Sequence, residues 1–210
     1  MKTVLKEVPA AAPEIILASA SAIRAALLAN AGVKIRCQPA DIDERAVQTE
    51  LSAAGTLPPA EMALALAKAK ARAVAAAHPG AIVIGADQIL ALGLEIFSKP
   101  NNAGEARLQL MRLRGRAHTL VSAFVCLQGD RVIAEQIASA ELAMRDFSDA
   151  FLDAYLEQAG NGVLSSVGAY QLEGLGAQLF ERIDGDYFTV LGLPLLPLLA
   201  VLRRAGAIRQ

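Results

Sequence analysis

Four groups of residues have the types and spacing to do chemistry. The first is Ser19-Ala-Ser21-Ala-Ile23-Arg24, a turn between an apolar run and a helical pattern. Backbone amides at a helix start attract anions, and the helix dipole adds to that attraction. Arg24 falls three residues after Ser21, on the same face of the first turn. A hydroxyl, amides and a guanidinium can therefore converge on one phosphate, although the same pattern also describes a capping serine and a surface arginine. The second is Asp87, which follows the apolar stretch Ala81-Ile-Val-Ile-Gly85. A carboxylate in the crevice beyond a strand end binds a metal or activates water, or caps the segment that follows. The third is the lysines Lys68, Lys70 and Lys99, from a chain with only six lysines against 14 arginines. The fourth is Asp43-Glu44, a surface acidic pair or a helper for a divalent ion.

The surrounding pattern says how these residues are held. Glu14–Ala18 reads as a buried strand, and Ser19 or Ser21 caps a helix over Ile23–Ala31 that stops at Gly32. Val33–Gln38 reads as a second strand leading to an acidic loop over Asp41–Glu44. Pro58-Pro59 opens a helix over Ala60–Ala77, and Ala81–Gly85 is a further buried strand ending before Asp87. A helix over Ala103–Leu113 follows Lys99-Pro100, then strands at Thr119–Gln128 and Arg131–Met144 and a helix at Asp149–Gln158. The remainder reads as a Gly-rich loop over 160–176, a strand at Gln178–Ile183, a turn at Asp186-Tyr187 into a last strand, and a closing helix after Pro194. Helices and strands alternate early and strands pair later, so the fold class is α/β with a mixed twisted sheet and flanking helices. Residues 1–13 read as a loose Ala/Pro-rich leader and 14–210 as one domain, with two lobes around a cleft.

Composition removes several function classes. The 210 residues are 54% apolar and 20% charged, enough to bury a full core. A net charge of −1 argues against a general nucleic-acid or anionic-membrane binder. Aromatics make up 4% and tryptophan is absent, so stacking platforms for single strands are not expected. Cys37 and Cys126 form no disulfide framework, and with His78 and His118 far apart there is no Cys/His metal motif. Both cysteines read as small buried hydrophobes. The mean hydropathy of +0.40 does not produce a membrane span. The longest apolar run, Leu191–Leu202, contains Gly192, Pro194 and Pro197 and falls short of the ~20 residues needed. The charged N-terminus (Lys2, Lys6, Glu7) makes a poor signal peptide, so a cytoplasmic location is expected. His118, three residues after Gly115, reads as a hydrogen-bonded histidine at a strand end rather than a general base. No P-loop or dinucleotide glycine fingerprint is present.

Taken together the motifs resemble the Maf family. Leu17-Ala-Ser19-x-Ser21-x-x-Arg24, Asp43-Glu44, Lys70-Ala71, Gly85-Ala-Asp87-Gln88, Lys99-Pro100, Gly115-x-x-His118, Gly168-Ala-Tyr170 and Gly192-Leu-Pro-Leu195 occur in that family's order over residues 15 to 203. The resemblance implies an architecture like that of the inosine-triphosphate house-cleaning enzymes. It implies a pyrophosphatase that cleaves a nucleoside triphosphate to monophosphate and diphosphate, with a divalent cation (Mg²⁺, Mn²⁺ or Co²⁺), as a cytoplasmic homodimer without nucleic-acid or membrane partners. Asp87 would accept the proton of the attacking water, near the metal, with Glu44 assisting. Ser19, Ser21 and Arg24 would hold phosphates, and Lys70 and Lys99 would neutralise the remaining charge.

The family divides by base at three positions, which here are Ile23, Gln88 and Glu173. Gln88 and Glu173 resemble the 7-methyl-GTP branch, where a carboxylate can accept from a guanine's N1–H and exocyclic amine. Ile23 matches neither branch and offers apolar contact in place of a stacking tryptophan. Ser166 and Ala69 stand where the dTTP/UTP branch carries lysine and glutamate, whereas Gly168-Ala-Tyr170 is shared with that branch. The expectation is a 7-methyl-GTP-type substrate. The alternatives are dTTP/UTP hydrolysis or the non-catalytic regulation of septum formation from which the family is named.

Overall fold

The computed structural model describes residues 12–209, apart from positions 54 and 56. Of the expected leader, residues 1–11 lie outside the described residues. The strands are β1 (Ile15–Leu17), β2 (Arg36–Cys37), β3 (Ile82–Leu92), β4 (Glu95–Phe97), β5 (Ala117–Gln128), β6 (Arg131–Met144) and β7 (Phe180–Asp184). They form one mixed sheet in the order β2-β1-β3-β5-β6-β7, with β4 added on β3. The β2, β1 and β3 ladders are parallel and the rest are antiparallel. The helices are α1 (Ala22–Asn30), α2 (Glu44–Ser52), α3 (Pro59–Ala75), α4 (Ala103–Leu113), α5 (Asp149–Ala159), α6 (Tyr187–Val190) and α7 (Leu195–Arg204). None of them is long and apolar enough to cross a membrane.

Alternation along the strands divides the core. Val83 and Ile89 of β3, with Val121, Ala123 and Val125 of β5, pack under α3 through Met62, Leu66, Ala67 and Val74. Ile82, Ile84 and Ala86, with Phe124, face the other way into Leu27 and Leu28 of α1 and Leu198 and Leu202 of α7. Farther along that second face, Leu90 and Leu120 meet Leu110 and Leu113 of α4, Leu152 and Tyr155 of α5, and Tyr170.

The structure corrects several expectations. β3 does not end before Asp87. It runs six residues beyond Ala86 because β5 pairs it without a break, Asp87 opposite Ala123 and Gln88 opposite Ser122. The segment after Asp43 is helical: Asp43 accepts from the Ala46 amide at 3.0 Å and caps α2, a polar helix that buries no residue. The second strand is only two residues long, and β4 was not expected. The Gly-rich stretch forms three short 3₁₀ turns at Gly160–Ser165, Val167–Ala169 and Leu175–Leu179. Asp186 caps α6 by accepting from the Thr189 amide at 2.8 Å, so Tyr187 begins a helix and no strand follows among the described residues. Of the two cysteines, Cys126 is buried but Cys37 is exposed on the short edge strand.

Candidate active site

The sheet opens a gap in the middle of β3. On one side, β1 pairs β3 only as far as Ile84, and β4 pairs it only from Leu90. Between those limits the β3 edge from Gly85 to Ile89 has no strand partner among the described residues, and it faces a cleft of about 720 Å³. Ligand crevices open beyond the carboxyl ends of parallel strands. Here the strand that ends is β1, and Asp87 sits beside its end in the body of the longer neighbour.

Each wall of the gap follows from local structure. After β1 the chain turns through Ser19 into α1, where Ser21 is the cap: its Oγ accepts from the Arg24 amide at 3.4 Å. Arg24 is 8% exposed and closes the bare edge of β3. Its Nη1 donates to Ala86 O at 3.0 Å and to Ser19 Oγ at 3.2 Å, and its Nε donates to Gly192 O at 2.7 Å. Three donors of the guanidinium fork are thereby spent on the protein, and Nη2 makes no bond among the described residues. Burial lowers the Arg24 pKa, and Asp87 and then Glu44 oppose that shift.

The floor is an ion-pair triad. Lys70 Nζ lies 2.7 Å from Asp87 Oδ1 and 2.9 Å from Glu44 Oε1. Lys70 and Asp87 are 8% and 6% exposed, whereas the Glu44 side chain is about half exposed. Gly85 sets the approach of α3. A Cβ there would run into the Ala67 carbonyl and lie 2.6 Å from Ala71 N and 2.8 Å from its Cβ. Only glycine lets the helix lie close enough for Lys70 to reach Asp87. Burial raises the Asp87 pKa above the ordinary carboxylate value, and Lys70 first, then Arg24, restrain the rise.

The β3–β4 hairpin delivers Ser98, Lys99, Pro100 and Asn101 to the rim, with Lys99 exposed. Among the described residues, four cations (Arg24, Arg45, Lys70, Lys99) and two carboxylates (Glu44, Asp87) line the cleft, a local excess of two positive charges in a chain of net charge −1. The opposite wall is uncharged and comes from the 3₁₀ segment through Leu164, Ser165, Ser166, Val167 and Gln171.

The structure thus brings Ser19, Ser21, Ile23, Arg24, Glu44, Lys70, Asp87, Gln88 and Lys99 to one cleft. Glu173 is not among its lining residues; it is exposed on the turn at 172–174, and Gln171, two residues earlier in the chain, lines the wall. Lys68 points away and pairs with Glu135 at 3.6 Å. Gln88 is fixed in orientation. Its two Nε2 protons are shared among Ser122 Oγ (3.1 Å), Thr189 O (3.1 Å) and Val190 O (3.0 Å), which leaves Oε1 as an acceptor. The supporting Ser122 carried no sequence expectation, and Asp186 was expected only as part of a turn. Ser122 could have been found as a lone hydroxyl in the apolar run Leu120–Leu127. His118 is buried and away from the cleft.

The fold and the site define a class: an α/β protein with a mixed sheet and a cationic cleft around one buried carboxylate. The chain belongs to the Maf family, because the family described as Maf-like protein matches residues 14–205. A 7-methyl-GTP pyrophosphatase of Rhizobium meliloti is 52% identical over 196 residues, covering 93% of this chain and 98% of the relative. A nucleoside triphosphate pyrophosphatase of Bradyrhizobium diazoefficiens is 52% identical over 189 residues, covering 90% and 92%. Among solved structures, a HAM1 protein from Coxiella burnetii is similar at a TM-score of 0.39 and 18% identity, over 64% of this chain and 74% of that one.

Proposed function

We propose that this protein is a nucleoside triphosphate pyrophosphatase that cleaves the α–β phosphoanhydride, with 7-methyl-GTP as the favoured type of substrate. The observation that carries the reading is a buried Asp87 held by Lys70 at the floor of a cleft with excess positive charge. A triphosphate is a polyanion, and its hydrolysis is mostly positioning and charge stabilisation. Ser19, Ser21, Arg24 Nη2 and the first amides of α1 take phosphate oxygens, and Lys99 closes over them from the hairpin. Asp87 accepts the proton of a water that attacks the α-phosphorus. As the new P–O bond forms, the bridging bond to the β-phosphate breaks and diphosphate leaves, its charge met by Lys70 and Lys99. A raised pKa makes Asp87 a stronger base than an exposed carboxylate.

A divalent cation fits the donor chemistry. Glu44 and Asp87 are hard oxygen donors brought side by side by Lys70, whose ammonium contacts one oxygen of each, and no group of three acidic, His or Cys ligands exists among the described residues. One or two carboxylates plus substrate phosphates is how Mg²⁺ is usually held. When bound there it would neutralise phosphate charge. The reading also carries a homodimer in the cytoplasm, which sedimentation and fractionation test.

For the base, Gln88 Oε1 offers an acceptor to a ring N–H, and Ile23 gives an apolar surface at the cleft. The relatives' names favour 7-methyl-GTP. The test is diphosphate release from 7-methyl-GTP, GTP, dTTP, UTP, CTP and ATP with Mg²⁺, Mn²⁺ or Co²⁺, using Asp87→Asn as the blank. Preference for 7-methyl-GTP supports the whole reading, and preference for dTTP and UTP overturns the base assignment. Wild type equal to the blank on every substrate overturns the enzyme and leaves the regulatory alternative.

A further inference from the structure

The uncharged wall of the cleft has no strand to hold it. Residues 160–179 make three 3₁₀ turns, and at their centre two successive residues take left-handed backbone angles, Gly168 at φ 79° and Ala169 at φ 60°. For alanine that conformation is costly and persists only where its surroundings enforce it. The surroundings are two buried tyrosines. Tyr155 of α5 donates its hydroxyl to Ala169 O at 3.1 Å, and Tyr170 shares a 2.7 Å hydrogen bond with His118 Nε2. The Tyr170 ring packs edge-on against Phe180, with centroids 4.8 Å apart. A Cβ at Gly168 would lie 2.7 Å from that ring, so the wall is folded tightly around it. From Tyr170 the chain reaches the cleft directly: Ser166 Oγ donates to Tyr170 O at 2.5 Å, and Gln171, the next residue, donates to Ser165 Oγ at 3.0 Å.

His118 is the second residue of β5, at the strand's start, and is paired with Leu142 of β6. It is 2% exposed, and its Nδ1 is buried with no partner. A buried imidazole with one nitrogen unsatisfied is retained at a cost, and here the other nitrogen ties the sheet to the centre of the wall segment.

We infer that His118 and Tyr170 are positioning residues, a latch that fixes the 164–171 wall against which the nucleoside part of the substrate lies. The assignment of the nucleoside to this side follows from charge. The cations all stand on the α1, α2, α3 and hairpin walls, where the phosphates go, and the 164–171 wall contributes only apolar, hydroxyl and amide groups. The inference rests on the proposed pyrophosphatase reading, because it takes the ligand to be a nucleotide. It adds that affinity for the nucleoside depends on a bond formed outside the cleft.

Tyr170→Phe removes the hydroxyl and keeps the ring, and His118→Gln keeps a side-chain nitrogen close to the place of Nε2. For Tyr170→Phe we expect KM for the preferred nucleotide to rise about five- to tenfold with kcat within twofold. The inhibition constant of inorganic triphosphate, which has no nucleoside, should stay within twofold, and amide hydrogen exchange over 160–176 should quicken. His118→Gln should recover most of the affinity, whereas His118→Leu should match Tyr170→Phe, and the double variant should be no worse than either. Unchanged KM with unchanged exchange overturns the latch. Equal weakening of nucleotide and inorganic triphosphate overturns the assignment of the wall to the nucleoside. If the wild type turns over no nucleotide, the functional reading falls, and the latch is decided by exchange: it stands on faster exchange in Tyr170→Phe and falls on equal rates.

Discussion

Lys70 and Asp87 form a buried ion pair, Nζ to Oδ1 at 2.7 Å, between the middle of a helix and the middle of a strand. Glu44 completes it from the exposed side. Burial raises the Asp87 pKa, and Lys70 is the largest influence that opposes the rise.

Loss of the base should therefore be separable from loss of its partner. Asp87→Asn is expected to lower kcat by about 10²- to 10⁴-fold, the usual scale for a general base, with nucleotide binding retained. Lys70→Met removes the restraint on the Asp87 pKa. The acid limb of its kcat profile should move to higher pH, and stability should fall by about 3 kcal/mol because a buried charge loses its partner. Diphosphate release from pH 5 to 9 and urea unfolding check both. An acid limb at the same pH in Lys70→Met would exclude Asp87 as the titrating base.

Arg24→Lys should behave as a severe substitution. The guanidinium bridges Ala86 O, Gly192 O and Ser19 Oγ at once, and an ammonium has neither the reach nor the fork. Each buried carbonyl left without a donor costs about 1–3 kcal/mol. We expect a lower unfolding midpoint together with a KM increase of about tenfold or more. Calorimetry and steady-state kinetics on the same preparation measure them.

Gly85→Ala tests the close approach of α3. A methyl at this position meets helix backbone rather than a flexible side chain, so α3 must move outward and take Lys70 with it. Overpacking of this kind costs about 3 kcal/mol. The expected outcome is lower stability with kcat reduced toward the Lys70→Met level. Wild-type kcat in a folded Gly85→Ala protein would show that the Lys70–Asp87 distance is not critical.

His118 gives the fold a pH dependence of defined sign. Burial holds its pKa down at about 4, against 6.5 when unfolded, so the unfolded chain binds the extra proton first as pH falls. Its contribution is complete above pH 6.5 and is lost progressively as pH falls toward 4, to a total of about 3 kcal/mol at 1.36 kcal/mol per unit. Urea midpoints at pH 7.5, 6.0 and 4.5 should fall in the wild type, and the fall should be smaller in His118→Gln. Parallel curves would place the acid sensitivity elsewhere.

Local signals determined much of this fold. Asn102, whose side chain accepts from the Glu105 amide, and Ser148, which accepts from the Phe151 amide, start α4 and α5 where their side chains dictate, and Gly32 ends α1. The apolar run of β5 before the Gly129 turn and the mixed apolar and polar pattern of β6 after it make the two strands legible as a hairpin. The identity of the chemical groups was legible too, since Ser19, Ser21, Arg24, Lys70, Asp87 and Lys99 all reach the cleft. Tertiary structure decided the rest. α2 buries nothing, so no apolar period announces it, and only the Asp43 cap could have done so. Asp87 and Gln88 interrupt the apolar run of β3, and strand geometry continues through them because β5 supplies the ladder and Lys70 and Ser122 satisfy the two side chains. The link from Arg24 to Gly192 spans 168 residues, and the latch from His118 to Tyr170 spans 52. Such contacts have no local signature, because they arise when separate segments pack on one sheet and bury polar groups that must then find partners.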